Sequence, residues 1–214
     1  MNIEKKTEIP QETIRRLSLY LRMLRRLNAQ DVKVVSSDKI TKFLNISSEQ
    51  FRKDLSYFGE FGCRGVGYNV NFLIRAIEKI LGTDKICRIA VIGVGKLGTA
   101  LIGYPGFTDF KFQIVAAFDN DPAKIGKKIE NLIVLDSADV KKELKRLAVK
   151  MVILAVPAFA ANAVSEDLAK CGIKAILNFS PININMRREL CVSNVDVACE
   201  LEGLAYRLKK KMKE

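Results

Sequence analysis

Three glycines in the stretch RIAVIGVGKLGTA, residues 88–100, have the spacing of a nucleotide-binding turn. They follow an apolar run and open a segment with helical character. In such a turn the first glycine permits a tight bend, the second lets the backbone approach a pyrophosphate, and the third allows close packing of helix on sheet. Free N–H groups at the start of the helix then face the phosphates. The spacing predicts a dinucleotide site formed by Gly93, Val94, Gly95, Lys96, Leu97 and Gly98.

An acidic residue lies where the ribose of such a dinucleotide would be bound. Asp119 ends the next predicted strand, 21 residues after Gly98. A carboxylate there accepts hydrogen bonds from the ribose hydroxyls and repels a 2′-phosphate, which favours NAD(H) over NADP(H). The alternative is that Asp119 only caps the turn DNDPAK and that the glycines serve the fold alone.

Apolar loops follow the predicted strands of this region. The carboxyl ends of parallel strands meet at one edge of a sheet, where ligands bind. We expect these loops to complete the pocket, and an apolar wall would favour neutral NADH over the cationic ring of NAD. The expected wall residues are Tyr104, Phe107, Val156, Pro157, Phe179 and Pro181.

The chain contains no histidine, the residue that most often moves protons in catalysis. No Lys/Tyr pair replaces it in the predicted pocket, and Lys96 is better placed for phosphate or solvent. We therefore assign no catalytic residue and interpret the pocket as a sensor of NADH and NAD. The alternatives are an NAD-dependent oxidoreductase with a small accessory domain and a sensor of coenzyme A. Asp119 disfavours coenzyme A, because that ligand carries a 3′-phosphate on its ribose.

Composition narrows the class of protein. The chain has 214 residues and a net charge of +12, with no apolar stretch near the roughly 20 residues of a membrane span. The first residues lack the apolar core of a signal peptide, so we expect a cytoplasmic protein without a membrane partner. Five cysteines without a CxxC pair predict free, mostly buried thiols and no metal site, although Arg64 could activate Cys63.

The N-terminal part has the pattern of a nucleic-acid-binding module. Between Thr13 and Gln30 there are five arginines and no acid, which favours a polyanionic partner or, alternatively, a solvated basic helix face. Apolar residues at 14, 17, 21 and 24 predict a helix after Pro10. A short second helix follows, and a capping box of Ser47 and Gln50 begins a third helix.

Glycines at 62, 65 and 67 flank Arg64 and predict a tight β-hairpin, followed by a helix that Gly82 ends. Three short helices and a hairpin are typical of a winged helix-turn-helix. Beyond it, apolar runs at 86–92, 112–118, 151–156 and 174–179 alternate with helical segments at 96–104, 137–147 and 159–171. This alternation predicts an α/β Rossmann domain with a parallel sheet. The predicted domains are residues 1–84, 85–198 and, as a C-terminal helix, 199–214.

The motifs FRKDLSYFGEFGCRGVGYNV, VIGVGKLGTALIGYPGF, FDNDPAKIG, AVPA and LNFSP together resemble the bacterial Rex family of redox-sensing transcriptional repressors. The resemblance implies a homodimer that binds palindromic double-stranded operator DNA and releases it when NADH binds. It also implies that the C-terminal helix is exchanged between subunits.

The resemblance also implies roles for individual residues. Helix 48–58 would enter the major groove, and Arg64 on the hairpin would enter a minor groove. The alternative, an ordinary core helix, explains Phe51, Leu55 and Phe58 but not the polar face. The residues implied on that face are Ser48, Gln50, Arg52, Lys53, Ser56 and Tyr57.

Two residues match positions that link the final segment, the cofactor loop and the first helix in the family. These are Arg22 and Asp196, for which surface salt bridges are the alternative. Val197 departs from the family pattern, which often has phenylalanine there against the nicotinamide ring. Val197 would cover less of that ring.

Overall fold

A computed structural model describes residues 9–184 and 190–212, and the chain divides into two compact units between Lys85 and Ile86. The described part of the N-terminal unit is mostly helical. Its helices are α1 (Gln11–Ala29), α2 (Ser37–Thr41), α3 (Ser48–Ser56) and α4 (Val70–Leu81), and its strands are β1 (Val34–Val35) and β2 (Tyr68–Asn69).

The apolar stripe of α1 forms the core of this unit, as its periodicity predicts. Leu17, Leu21 and Leu24 are buried there with Tyr20 of α1 and Phe51 of α3. The rings of Tyr20 and Phe51 meet edge to face, with centroids 4.8 Å apart. One face of α3 is thereby fixed against α1, and its other face stays polar.

Local signals set the ends of the helices. The Ser47 hydroxyl accepts a hydrogen bond from the Gln50 N–H at 3.1 Å and begins α3. The predicted capping box is only half formed, because the Gln50 side chain binds Asp54 instead. Helix α3 ends at Ser56, two residues before the predicted end at 58, and Gly59 follows with φ of 127°.

The predicted hairpin is present in its smallest form. Cys63 and Gly67 exchange backbone hydrogen bonds of 3.0 and 2.9 Å, and Gly65 has φ of 78° in the turn between them. A three-residue loop with a left-handed glycine is a common hairpin geometry. A Cβ on Gly67 would lie 2.6 Å from the Val35 carbonyl oxygen, so the hairpin can lie against β1 only with glycine there. Strand β1 pairs with β2 and was not predicted.

The C-terminal unit contains a seven-stranded sheet in the order β5-β6-β4-β3-β7-β8-β9. Every neighbouring pair is parallel except β5 and β6. The strands are β3 (Cys87–Ile92), β4 (Phe112–Asp119), β5 (Lys128–Ile129), β6 (Leu132–Asp136), β7 (Met151–Leu154), β8 (Ala175–Asn178) and β9 (Cys191–Asn194).

Helices lie between these strands, so the predicted α/β class is confirmed. They are α5 (Lys96–Ile102), α6 (Gly106–Asp109), α7 (Val140–Arg146) after a 3-10 turn (Ser137–Asp139), and α8 (Ala158–Lys170). A further helix, α9 (Val197–Lys211), follows the last strand. Strands β5, β6 and β9 were missed, because each is only two to five residues long.

Side chains from both faces of the central strand β3 are buried, as a doubly covered parallel sheet requires. Ala90 and Ile92 pack on one face with Leu168. Ile89 and Val91 pack on the other face with Ile153. Below, these are called the Ile92 face and the Val91 face of the sheet.

Helix α9 has no buried residue within the chain. Leu201, Leu204 and Leu208 are between 52 and 60 % exposed. The expectation of mostly buried thiols is wrong, since Cys63, Cys191 and Cys199 are exposed and Cys87 and Cys171 only half-buried.

The described residues also bear on membranes and metals. No helix among them is long and apolar enough to cross a membrane. Within residues 9–184 and 190–212, no three acidic, cysteine or histidine side chains are grouped so that they could hold a metal ion.

Candidate nucleotide and nucleic-acid sites

The three glycines between β3 and α5 have separable roles. Gly93 has φ of 94°, and a Cβ there would lie 2.5 Å from the Ala155 carbonyl oxygen. A Cβ on Gly98 would lie 2.0 Å from the Gly93 carbonyl oxygen. Gly95 differs, because a Cβ there would meet no atom within 4 Å. The fold therefore requires Gly93 and Gly98, whereas Gly95 leaves its backbone open to a ligand.

Asp119 supports this turn directly. Its carboxylate accepts hydrogen bonds from the Val94 N–H at 2.7 Å and the Asp121 N–H at 2.9 Å. Lys124 adds an ion pair of 3.1 Å between its Nζ and Asp119 Oδ2. Burial would raise the pKa of Asp119, but these hydrogen bonds outweigh it and lower that pKa. The turn-capping role is therefore present, and lone pairs of an ionised carboxylate remain for a ribose hydroxyl.

A cavity of about 830 Å³ opens at the glycine turn. Its volume lies within the range of small-molecule and cofactor sites, roughly 300–1,000 Å³. It lies toward the Ile92 face, because Ile92, Phe118 and Leu168 of that core line it. The predicted site residues in its wall are Gly93, Gly95, Lys96, Leu97, Asp119, Val156 and Pro157.

The predicted pocket is not one continuous apolar wall. Tyr104 and Phe107 line a second cavity of about 460 Å³, with their rings edge to face at 5.1 Å. Phe107 and Phe179 pack on the Val91 face. Of the described residues, neither Phe179 nor Pro181 lines the glycine cavity, and Val94 and Gly98 are buried and do not line it. The expected wall residues thus lie on both faces of the sheet, and their common role in one site stays a prediction.

The glycine cavity also has charged wall residues that were not predicted from the sequence. Lys124 and Lys141 line it with Asp121 and Asp167, and the exposed ring of Phe159 lies at its rim. Lys141 lies in α7, the helix after β6. Because β6 was not predicted, the sequence did not place Lys141 at the edge of the sheet. The apolar run LIVL at 132–135 was the available signal.

Several of the predicted DNA-contacting side chains already have partners within the N-terminal unit. Ser48 donates to Asp38, and the Arg52 guanidinium contacts Ser37 Oγ at 2.9 Å and Glu49 at 3.3 Å. The Ser56 hydroxyl donates to the Lys53 carbonyl at 2.8 Å.

Two predicted basic contacts face solvent. Lys53 and Arg64 are exposed and form no ion pair with another described residue. Tyr57 follows the last turn of α3 and is half-buried. The exposed cations of this surface are therefore open to an anionic ligand.

A buried carboxylate anchors α3 to α1. Asp54 is completely buried and accepts hydrogen bonds from Thr13, Arg16 and Tyr20 of α1 and from Gln50 of α3. Burial raises the pKa of Tyr20 above its ordinary value, and the hydrogen bond to Asp54 raises it further. The hydrogen bond to Asp54 also raises the pKa of Arg16, which stays charged.

The arginine block of α1 is thus partly internal. Arg16 forms an ion pair with Asp54 of α3 at 2.6 Å, and Arg25 forms one with Glu78 of α4 at 2.8 Å. Arg15 pairs with Glu12 of α1 itself, where both side chains are exposed and the N–O distance is longer, at 3.7 Å. Two of the five arginines, Arg16 and Arg25, therefore pair with acids of other helices, so the block is not a basic surface along its whole length.

Asp196 is the N-cap of α9 in the C-terminal unit. Its Oδ1 accepts hydrogen bonds from Ala198 N at 2.9 Å and Cys199 N at 3.2 Å. Arg22 is an exposed residue of α1 and is not without an interaction partner. The implied link between Arg22 and Asp196 stays a prediction.

A helix-turn-helix with a glycine-rich hairpin, followed by a parallel sheet with a dinucleotide-type turn, defines the class of the chain as a ligand-responsive transcription regulator. Comparison with known proteins agrees. The chain is 44 % identical to the redox-sensing transcriptional repressor Rex of Desulforamulus reducens, over 98 % of this chain and all of that protein. The chain belongs to the Rex family of redox-sensing transcriptional repressors.

Family descriptions and solved structures support this assignment. Residues 8–56 match the family "Putative DNA-binding protein N-terminus", and residues 84–182 match the family "CoA binding domain". The chain resembles the crystal structure of RSP in complex with β-NAD+ and operator DNA, with TM-score 0.90, 35 % identity and coverage of 96 % and 95 % of the two chains. It also resembles the crystal structure of RSP in complex with β-NADH, with TM-score 0.84, 34 % identity and coverage of 96 % of this chain and 97 % of that chain.

Proposed function

We propose that this chain is a transcriptional repressor that binds a palindromic operator in double-stranded DNA as a homodimer and leaves it when NADH binds. The observation that carries the proposal is the similarity along nearly the whole chain to structures of RSP that hold NAD+ with operator DNA, or NADH. The proposed domains are residues 1–84 for DNA, 85–198 for the cofactor and 199–214 for dimerisation, in a cytoplasmic protein.

The glycine cavity is the proposed site of the cofactor. The open backbone at Gly95 and the charged residues Lys96 and Lys141 suit a pyrophosphate, and Asp119 suits the ribose. Val156 and Pro157 supply apolar wall. The nicotinamide supplies the redox-dependent charge when bound, and this chain's residues only bind and orient it.

The other wall residues, Tyr104, Phe107, Phe179 and Pro181, belong to the proposed nicotinamide side. Phe107 and Phe179 pack against the core of the Val91 face, and Tyr104 contacts the ring of Phe107. A dinucleotide lies across the crevice at the carboxyl edge of such a sheet, so one ligand can reach both faces.

The polar face of α3 and the hairpin are the proposed DNA surface. Lys53 and Arg64 supply exposed cations. Ser48, Gln50 and Arg52 add polar groups in the first turns of α3, and Ser56 and Tyr57 add them at its end. Recognition helices of a dimer reach half-sites about one DNA turn apart. We propose that NADH favours a dimer state in which that spacing is lost.

A binding experiment tests the coupling. Duplexes are first selected by the full-length protein from a randomised palindromic library, and NADH affinity is then measured with and without the selected duplex. Coupling is reciprocal, so the duplex must weaken NADH binding by the factor by which NADH weakens duplex binding. Equal NADH affinities in the two titrations would refute the switch.

Ligand competition distinguishes this function from its alternatives. NADH, NAD+, NADPH and coenzyme A are each titrated by calorimetry against the same protein. We expect NADH to bind more tightly than NADPH and coenzyme A, because Asp119 disfavours a ribose phosphate. We expect it to bind more tightly than NAD+, because apolar wall such as Val156 and Pro157 favours the neutral nicotinamide. Tighter binding of coenzyme A would replace the proposal with a coenzyme A sensor, and steady consumption of NADH with a substrate would replace it with an oxidoreductase.

A further inference from the structure

The side-chain amide of Gln50 is held in place from within its own helix. Gln50 lies in the first turn of α3, and its Nε2 donates to Asp54 Oδ1 at 2.8 Å, one helical turn later. Asp54 in turn is fixed by a bidentate contact with Arg16, at 2.6 Å from Nε and 2.8 Å from Nη2. Tyr20 and Thr13 complete the network at 2.7 and 3.1 Å.

This network determines whether the nitrogen or the oxygen of the Gln50 side-chain amide faces Asp54. Burial would raise the pKa of Asp54, but hydrogen bonds from Arg16, Tyr20 and Gln50 outweigh it and hold that pKa below its ordinary value. An ionised carboxylate only accepts hydrogen bonds. The Gln50 amide must therefore present its nitrogen to Asp54, because a half-turn would set Oε1 against a buried negative charge.

The rest of the amide is available to a ligand. Gln50 is half-buried, and its Oε1 accepts no hydrogen bond from any residue within 9–184 and 190–212. One N–H remains besides the one that Asp54 takes. The fixed amide therefore offers one acceptor and at most one donor.

The four bases differ in how well they match that pair of groups. In the major groove adenine presents the N6 donor beside the N7 acceptor, whereas guanine presents two acceptors, O6 and N7. Thymine offers an acceptor and a methyl group, and cytosine offers only a donor. Adenine alone satisfies both groups of the amide. Guanine would face Oε1 with an acceptor.

We infer that Gln50 reads an adenine in each half-site, and that Asp54 is the positioning residue that imposes this choice. The inference rests on the proposed DNA-binding function and adds to it the identity of one base. Asp54 itself touches no base, because it is completely buried.

Selection from a duplex library tests the inference with the full-length protein. A library of about 20 randomised base pairs covers two half-sites. We expect wild type to prefer adenine over guanine at one position per half-site by roughly 5- to 150-fold. Gln50→Ala should lose that preference and keep the others. Lys53→Ala, the matched control on the same helix, should lower affinity and keep the adenine.

Asp54→Asn tests the positioning role. The amide that this substitution introduces can accept or donate, so Gln50 is free to turn, and the adenine-over-guanine ratio should fall toward one while duplex binding persists. A merely structural role for Asp54 would lower affinity for all bases alike and leave the ratio unchanged. Thermal unfolding of the variant checks that it folds.

Base analogues test the same contact without altering the network. The selected adenine is replaced by purine, which lacks N6, or by 7-deazaadenine, which lacks N7. Each replacement should weaken wild-type binding and leave Gln50→Ala unaffected. An unchanged preference in Gln50→Ala would overturn this inference alone, whereas failure of wild type to enrich any duplex would overturn the proposed function as well.

Discussion

Gly98→Ala should destabilise the fold, whereas Gly95→Ala should leave the fold intact and weaken cofactor binding. At Gly98 an added Cβ would lie 2.0 Å from the Gly93 carbonyl oxygen. At Gly95 it would meet nothing within 4 Å, and φ of −83° is acceptable to any residue. The two positions lie three residues apart in one turn, so each variant is the control for the other.

The clash at Gly98 gives the size of the effect on folding. A carbon normally stays about 3.3 Å from a carbonyl oxygen, so that oxygen must retreat by more than about 1 Å. Gly93 cannot follow freely, because its N–H is bound to the Phe118 carbonyl at 2.8 Å and the next N–H to Asp119 at 2.7 Å. Overpacking of this kind destabilises by roughly 1–3 kcal/mol, and a weakened buried hydrogen bond adds about 1.

Gly98→Ala should therefore lower the free energy of unfolding of the C-terminal unit by roughly 2–4 kcal/mol, or Tm by about 5–15 °C. Gly95→Ala should unfold within about 2 °C of wild type but bind NADH roughly 5- to 150-fold more weakly, because its methyl group occupies the approach of the pyrophosphate.

Calorimetric unfolding and NADH titration measure both quantities on the same samples. Wild-type NADH affinity in Gly95→Ala would refute the assignment of this turn to the pyrophosphate. A wild-type Tm for Gly98→Ala would refute the steric argument, whatever happens to binding.

Three further predictions concern charge and assembly. Asp119→Asn removes the charge that repels a 2′-phosphate, so the preference for NADH over NADPH should fall at least about tenfold in calorimetric titrations; an unchanged ratio would contradict the role of Asp119. Because the pKa of Asp54 is lowered on folding, its contribution to stability is present above its unfolded value of about 3.9 and is lost as pH falls through the lower folded value. Urea unfolding at pH 3 and pH 7 should show this loss, and Asp54→Leu, which cannot titrate, should show a smaller one. If α9 forms the proposed dimer interface, Leu204→Glu should yield monomers in sedimentation experiments, because it places a charge on the exposed apolar face of α9. Glu202→Gln on the same helix should leave the oligomeric state unchanged.

Much of the fold could be predicted because its signals are local. The stripe of Leu17, Leu21 and Leu24, the cap at Ser47 and the glycine at 82 each act within one or two helical turns. The glycine turn is equally local, since Gly98 must clear Gly93 only five residues earlier. Strands β5, β6 and β9 escaped prediction, because runs of only two to five residues have no distinctive period.

The partners of charged groups could not be predicted from the sequence. Arg16 and Asp54 are 38 residues apart, and Arg25 and Glu78 are 53 apart, so only helix packing brings them together. Without those pairs, α1 reads as a basic surface. With them, part of its charge stabilises the core, and the orientation of Gln50 follows from it.

The sequence by itself determined the two kinds of domain and the turn that suits a pyrophosphate, because backbone geometry and side-chain periodicity are encoded in neighbouring residues. Only the tertiary structure decided that Tyr104 and Phe107 lie apart from the glycine cavity and that Lys124 and Lys141 line it. The physical reason is that a parallel sheet has two faces and gathers loops from distant strands at one edge. Which face a loop covers depends on packing that no single stretch of sequence specifies.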